Sequence, residues 1–219
     1  LVCITGVSGS GKSSLIQDVL YRALLKSKGR PTEAAGAHRA IEGAANITEV
    51  AMVDQSPIGR TTRSNPSSYV GAFDTIRALF AKTGVARERG YTTGTFSFNS
   101  GNGRCPTCSG NCFEHVEMQF LSDVYLRCPD CDGKRYRAET LEVTIEGRSI
   151  ADVLEMTVTQ AIEFFREQPQ VMVALQPLSD VGLDYLSLDR SADTLSGGEA
   201  QRIRLASQIG SGLTGVMYV

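Results

Sequence analysis

Four of the six cysteines occur as two short pairs with the same internal spacing. They are Cys105, Cys108, Cys128 and Cys131, in the pattern C-x2-C-x19-C-x2-C. This spacing is typical of a tetrahedral zinc site, and four protein thiolates leave the metal no open position for catalysis. Free or disulfide-bonded pairs are the alternative. We expect a cytoplasmic protein, in which disulfides are disfavoured, so we predict a structural zinc site.

A glycine-rich run near the first residue has a pattern that binds nucleotide phosphates. Residues 6–13 read G-V-S-G-S-G-K-S, a match to G-x-x-x-x-G-K-[ST]. The backbone N–H groups and the following helix start attract phosphate, Lys12 adds a point charge, and the Ser13 hydroxyl ligates Mg²⁺. An apolar run before the loop and an amphipathic helix after it disfavour a chance turn. The predicted nucleotide-binding residues are Gly6, Ser8, Gly9, Ser10, Gly11, Lys12, Ser13 and Ser14.

A second glycine pair precedes another helix, in the run LSGGEAQR at residues 195–202. A serine hydroxyl and exposed N–H groups at a helix start form an anion site. For SGGE alone, a plain helix cap is the alternative. The run resembles the signature motif of ABC-type ATPases, which implies that it faces the γ-phosphate of ATP on a partner head. The implied contact residues are Leu195, Ser196, Gly197, Gly198 and Glu199.

The same resemblance assigns a role to Gln55, which follows the apolar run VAMVD. A glutamine here contacts Mg²⁺ and the attacking water in ABC ATPases. In that family an Asp and a Glu follow the last apolar strand, and this sequence ends at Val219 before them. We therefore expect a part of a longer protein, with ATPase activity in the full-length protein and little hydrolysis by this chain alone.

The elements that must position these residues follow from the apolar pattern. Buried strands are predicted at 1–5, 50–54 and 215–219, and helices after Lys12 and over 195–210. A further strand is predicted at 141–145, and the thiol of Cys3 is expected to pack inside the first strand. Strand–loop–helix units near both ends predict an α/β core with a parallel sheet.

The middle of the chain differs in composition and is predicted to be an insertion. The predicted organisation is an ATP-binding core over 1–57 and an inserted subdomain over 58–190, with the zinc module at about 91–139. The signature helix and final strand occupy 191–219. The predicted fold class is therefore an α/β P-loop ABC-type ATPase core with an inserted mixed α+β zinc-binding subdomain.

Composition limits the classes of protein that need considering. The chain is 42% hydrophobic and 21% charged, with a net charge of −2. No apolar run approaches the roughly 18 residues of a membrane span, so we expect no membrane. Residues 58–90 carry six Arg or Lys against two Asp or Glu. That basic segment is either an electrostatic footprint for phosphate or a solvated surface loop.

Together these motifs resemble one family over nearly the whole chain. The runs ITGVSGSGKSSL, DQSPIGRTTRSNPSSYVGAFDTIR, GRCPTC, HVEMQFLSDVYLRCPDCDGKRY and TLSGGEAQRIRLA are similar to the UvrA family, the DNA-damage sensors of the ABC excinuclease. Most of them resemble its second ATPase head, whereas QIGSGLTGVMYV resembles the first. The resemblance implies a homodimer that uses ATP and Mg²⁺, binds Zn²⁺ and damaged double-stranded DNA, and works with the excinuclease component UvrB in nucleotide excision repair.

The resemblance also points to DNA contacts in the loop after Gln55. Arg60 and Arg63 are the predicted phosphate contacts there, with plain solvation as the alternative. The aromatic side chains of this region are expected to pack around the zinc module rather than stack on bases; they are Phe96, Phe98, Phe120 and Tyr125. The rival functions are an ABC transporter ATPase, a UvrA-like paralogue in drug resistance, and a zinc module on a non-hydrolysing head.

Overall fold

The computed structural model describes residues 2–53, 58, 59, 61, 63–116, 118, 124–209 and 215–219, with only the backbone of His115 and Ile209. Contacts divide the chain into two units. Unit 1 comprises Leu1–Asp54 with Ser211–Val219, and unit 2 comprises Gln55–Gly210. The predicted Gln55, Arg60 and Phe120 lie outside the described residues.

Unit 1 joins a glycine-rich loop, a long helix and a pair of parallel strands. Helical backbone begins at Lys12, runs as a π-helical segment over Ser14–Tyr21 and continues as α1, Arg22–Ser27. A short 3₁₀ turn, Ala44–Asn46, precedes β1, Glu49–Ala51. Strand β1 pairs in parallel with β6, Val216–Tyr218, with Val50 opposite Met217. Parallel neighbours need a crossover connection, and here all of unit 2 lies between them in the chain.

The strand predicted at residues 1–5 is wrong for residues 2–5, which are the part of it that the structure describes. Residues 2–7 have neither helical nor strand geometry, and Val2 is 87% exposed. Cys3, expected to be a packed thiol, is also exposed. An apolar β-branched run forms a strand only where a neighbouring strand accepts its hydrogen bonds, and in the described part of unit 1 the ladder contains only β1 and β6.

Unit 2 is mainly helical, and most of its helices begin at a side-chain cap or a proline. Capping boxes start α6 with Ser149 and α7 with Thr157, as the S/T-x-x-D/Q spacing requires. Pro169 starts α8, where its missing N–H costs nothing. The helices are α2 Pro66–Tyr69, α3 Ala72–Ala81, α4 Gly84–Glu88, α5 Ala138–Leu141, α6 Ile150–Glu155, α7 Val158–Phe164, α8 Pro169–Asp180 and α9 Gly197–Ile209.

The core of unit 2 centres on α8, which packs against α3, α7 and α9. Ile76, Phe80, Leu175, Leu178 and Ile203 in these helices are fully buried. Their burial removes apolar surface from water and provides the main stabilisation of the unit. The cysteine pairs and the signature helix belong to the same unit as this core, which holds their elements in place.

Two short antiparallel hairpins complete the described part of unit 2. Strands β2, Phe113–Val116, and β3, Val124–Arg127, pair between the two cysteine clips. Strands β4, Thr144–Ile145, and β5, Arg148–Ser149, join through Glu146 and Gly147, both at positive φ. The strand predicted at 141–145 is thus only two residues long, because α5 ends at Leu141 and the tight turn reverses the chain after Ile145.

The signature helix α9 belongs to unit 2, where it packs against α8 and α2. The sequence-based organisation grouped it with the final strand instead. The difference arises because Ala200, Ile203 and Ala206 on α9 are buried in the helical core, and sequence order does not reveal that packing.

None of the helices in the described part of the chain combines the length and the apolar character that a membrane span needs.

Candidate functional site: a four-cysteine cluster and two glycine-rich anion sites

The four predicted cysteines converge on one buried point. Their sulfur atoms all lie within 4.8 Å of one another. Cys105 and Cys128 have Sγ atoms 3.9 Å apart, and Cys108 and Cys131 have Sγ atoms 3.6 Å apart. Sulfurs bound at about 2.3 Å to a tetrahedral zinc lie roughly 3.8 Å from one another. The four thiols therefore have the spacing that a zinc ion needs.

The two clips form a repeat with approximate two-fold symmetry. Residues 103–113 (GRCPTCSGNCF) and 126–136 (LRCPDCDGKRY) align position by position. Cys105 N–H donates to the Arg135 carbonyl at 2.8 Å, and the equivalent Cys128 N–H donates to the Cys112 carbonyl at 3.0 Å. Each clip thus donates a backbone hydrogen bond to a carbonyl of the other clip. The backbone of each clip therefore depends on the other for a hydrogen-bond partner.

Equivalent residues of the clips share unusual backbone geometry. Ser109, Cys112, Asp132 and Arg135 all have positive φ although none is glycine. This geometry is strained for side chains with a Cβ, and it recurs at matching positions. Gly110 also has positive φ, and a Cβ there would overlap the Phe98 carbonyl oxygen. The two clips therefore share the same tight backbone turn after their second cysteine.

The pKa values of the clustered thiols are shifted in different directions. Burial opposes ionisation of Cys108, but hydrogen bonds from the Cys131 thiol and from the Gly110 and Cys112 amides lower its pKa. Burial and the hydrogen bond to Cys108 raise the pKa of Cys131. This split is expected when like thiols share a site without a cation. A zinc ion bound between the four sulfurs would supply the positive charge that keeps all four deprotonated.

Cys112 is close to the cluster but is not one of the four. The four clustered sulfurs lie within 4.8 Å of one another, and the Cys112 sulfur is outside that group. Burial raises the pKa of the Cys112 thiol to about 11. The structure therefore separates the four predicted ligands from their nearest spare cysteine.

Buried side chains attach the zinc module to the helical core. The Tyr136 hydroxyl donates to the Phe96 carbonyl at 2.9 Å, and burial raises its pKa. The Arg135 guanidinium lies 4.9 Å from the centre of the Phe98 ring, and its Nη1 donates to the Gly110 carbonyl at 3.2 Å. Phe96 and Phe98 are fully buried. These two rings pack beneath the module as predicted and are not available to stack on bases.

The phosphate loop of unit 1 is organised around Lys12. Its Nζ donates to the Gly6 carbonyl at 2.8 Å and to the Val7 carbonyl at 2.7 Å. Gly9 and Gly11 have φ values of 82° and 83°, which favour glycine. The Lys12 ammonium therefore lies in the curve of the loop, next to the start of the helix. The first N–H groups of a helix have no partner within it, so they can receive phosphate oxygens.

The signature begins with a capping box. The Ser196 amide donates to Glu199 Oε2 at 2.7 Å, and the Glu199 amide donates to the Ser196 hydroxyl at 3.2 Å. Leu195 packs against the core and holds the start of α9 in place. A Cβ added at Gly197 or Gly198 would meet nothing within 4 Å, and neither residue has positive φ. Nothing in the described part of the chain therefore requires glycine at these two positions.

Arg63, a predicted DNA contact, also has a role inside unit 2. Its Nε donates to Asn111 Oδ1 at 2.6 Å and its Nη1 donates to the Asn99 carbonyl at 3.5 Å. Asn111 lies within the first cysteine clip, so Arg63 ties its loop to the zinc module. A DNA phosphate would therefore have to bind Nη2 of Arg63, or displace Asn111 or the Asn99 carbonyl from the guanidinium.

Sequence reasoning missed several residues that support the site. Arg135 and Asn111 link the zinc module to its surroundings, and Tyr185 bonds the signature residue Glu199. Aligning the two clips would have singled out Arg135, since it occupies the position of Cys112 in the repeat. We find no sequence signal that would have identified Tyr185.

Comparison with known proteins relates this chain to one group. No family model matches it. UvrABC system protein A of Methanothermobacter thermautotrophicus is 54% identical over 218 residues, which is 99% of this chain and 23% of that protein. The protein of the same name from Thermus thermophilus is 54% identical over 219 residues, or 100% of this chain and 23% of its own length. The chain thus spans about a quarter of the length of these relatives.

A solved structure shows the same fold. The crystal structure of UvrA2 from Deinococcus radiodurans superposes with a TM-score of 0.84 and 49% sequence identity, over 97% of this chain and 25% of that one. The predicted fold class, an α/β ABC-type ATPase core with an inserted subdomain, is confirmed by this likeness and by the four-cysteine cluster. Over nearly its whole length, this chain is similar to a stretch that makes up about a quarter of UvrABC system protein A and of UvrA2.

Proposed function

We propose that the full-length protein is the ATP-dependent damage-recognition component of nucleotide excision repair. The observation that carries the proposal is the combination of a phosphate loop, an ABC signature and a four-thiolate cluster in a chain 54% identical to UvrABC system protein A. On this proposal the protein is an ABC-type ATPase that acts as a homodimer. It binds damaged double-stranded DNA and works with UvrB.

The nucleotide roles follow from the two anion sites. Lys12 meets the β- and γ-phosphates, while Ser13, with Gln55, holds Mg²⁺. The Ser196 hydroxyl keeps its proton for a phosphate oxygen, because its oxygen accepts from the Glu199 amide. Gly197 and Gly198 leave room for that phosphate. ATP bound by one head would thus be closed over by the signature of another.

The four-thiolate cluster supports a structural zinc ion and a reducing location. Cys105, Cys108, Cys128 and Cys131 are buried, closely spaced and not paired as disulfides. Zinc would supply the charge and the cross-link that a small module needs. Reduced buried thiols support the cytoplasm as the compartment. The cluster also disfavours the transporter ATPase, in which we expect no zinc.

The DNA role of Arg63 can be tested in the full-length protein by filter binding to damaged and undamaged duplex over a range of salt. Arg63→Ala is expected to weaken binding to both duplexes and to reduce the slope of log K against log salt by about one. Asn111→Ala removes the internal acceptor but leaves the arginine charge. Arg166→Ala removes an exposed arginine that follows α7, and this control is expected to leave binding unchanged.

The outcomes separate the two roles of Arg63. If Asn111→Ala reproduces the full loss, Arg63 acts by holding the zinc module and not by touching phosphate. An unchanged affinity and salt slope in Arg63→Ala removes the residue from DNA binding altogether. A wild-type protein that shows no preference for damaged duplex contradicts the proposed function itself.

A further inference from the structure

The start of the signature helix has a hydrogen-bond partner that comes from outside the helix. Tyr185, in the segment between α8 and the signature, donates from its hydroxyl to Glu199 Oε1 at 2.7 Å. The other oxygen of the same carboxylate accepts the Ser196 amide at 2.7 Å. Each oxygen of Glu199 therefore has its own donor, and the carboxylate is held in one orientation.

That orientation matters because Glu199 carries a full negative charge beside a predicted phosphate site. The hydrogen bond from the Ser196 backbone, followed by the one from Tyr185, lowers the pKa of Glu199. The same bond to Glu199 raises the pKa of the Tyr185 hydroxyl, which therefore stays protonated and able to donate. A carboxylate that swung toward the amides of Gly197 and Gly198 would repel a phosphate there.

The segment that carries Tyr185 is itself attached to the signature helix. Arg202, one turn beyond Glu199, donates from Nη1 to the Val181 carbonyl at 3.3 Å and to the Gly182 carbonyl at 3.1 Å. Tyr185 is 58% exposed, so burial of its ring does not account for the presence of a tyrosine. The Tyr185 hydroxyl, which donates to Glu199 and also interacts with the Arg202 side chain, connects this segment to the signature helix.

We propose that Tyr185 is a positioning residue for the signature site. Its hydroxyl holds the Glu199 carboxylate against the Ser196 amide, which keeps the negative charge away from Gly197 and Gly198. The Ser196 hydroxyl and the first amides of α9 then face the phosphate of ATP on the partner head. This inference rests on the proposed ATPase function and deepens it.

The test compares Tyr185→Phe with wild type in the full-length protein without DNA. Tyr185→Phe removes only an oxygen, and Tyr69→Phe is the matched control at a partly exposed tyrosine in α2. Loss of one hydrogen bond to a charged group at an exposed site is expected to lower kcat for ATP hydrolysis by about 3- to 10-fold. Binding of a fluorescent ATP analogue to the phosphate loop and the melting temperature should not change.

A double-mutant cycle with Glu199→Ala shows whether Tyr185 acts through Glu199. Tyr185→Phe is expected to have no further effect on kcat once Glu199 is alanine. Wild-type kcat in Tyr185→Phe, or an equal loss in both backgrounds, would overturn the inference. A kcat loss matched by a lower melting temperature would also overturn it, since the role would then be structural. Absence of ATP hydrolysis in the wild-type protein would instead contradict the proposed function, and this inference with it.

Discussion

Replacing Cys108 by serine tests whether the four-cysteine cluster is a zinc site. The Cys108 sulfur is one of the four that lie within 4.8 Å of one another, and the Cys131 sulfur is 3.6 Å from it. Serine keeps nearly the same shape, but its hydroxyl stays protonated and binds zinc poorly.

The size of the effect follows from the number of ligands. Structural zinc sites bind with about 10–16 kcal/mol at neutral pH. Four sulfurs with near-tetrahedral spacing share that energy about equally, so loss of one removes roughly 3 kcal/mol. This corresponds to about 100-fold weaker zinc binding. Because zinc binds the folded module and not the unfolded chain, the same variant should lose stability at limiting zinc.

The assay is a competition for zinc between the protein and a coloured chelator, with metal content measured after dialysis. Cys112→Ser is the matched control, because the Cys112 sulfur lies outside the four-sulfur cluster. Wild type and Cys112→Ser are expected to retain one zinc per chain, whereas Cys108→Ser loses it to the chelator.

Two results would refute the zinc assignment. A wild-type protein that binds no zinc would show that the sulfur spacing reflects packing alone. Equal retention by Cys108→Ser, with loss in Cys112→Ser, would show that the ligand set is wrong.

Two further variants test other parts of the molecule. Lys12→Ala removes the ammonium that lies in the phosphate loop, and we expect about 10- to 100-fold weaker binding of a fluorescent ATP analogue. Lys26→Ala in α1 is its control, and equal binding by both variants would contradict the assignment. Arg135→Met removes a buried guanidinium over the Phe98 ring, and should lower the free energy of unfolding in urea by about 2–3 kcal/mol. Arg166→Met, at an exposed site, should change it by less than about 0.5 kcal/mol, and equal losses in the two variants would contradict the role given to Arg135.

The chemistry of the sites was predictable because each depends on residues close together in the chain. The phosphate loop needs glycines, a lysine and a serine within about eight positions, and a capping box needs a serine and a glutamate about three apart. Each cysteine clip is likewise complete within a single C-x2-C run. Local spacing alone therefore predicted the roles of Lys12 and Ser196 and singled out the four cysteines that the structure brings together.

The predicted elements were less reliable where they depend on neighbours distant in the chain. Helices after Lys12 and after Ser196 are confirmed, because helical hydrogen bonds are local. The strand predicted at 1–5 is not seen in its described residues, because strand geometry depends on a partner. The assignments of Gln55 and Arg60 remain predictions, since both lie outside the described residues.

The sequence by itself determined which groups can bind phosphate and zinc, since residue type and short spacing decide that chemistry. Only the tertiary structure decided how the clips close on each other through Cys105 and Cys128, that Arg135 joins them to the core, and that Tyr185 holds Glu199. Tyr185 and Glu199 are 14 positions apart in the chain, and Cys105 and Cys128 are 23 positions apart. No local pattern encodes such contacts, because they follow from how the helical core of unit 2 packs.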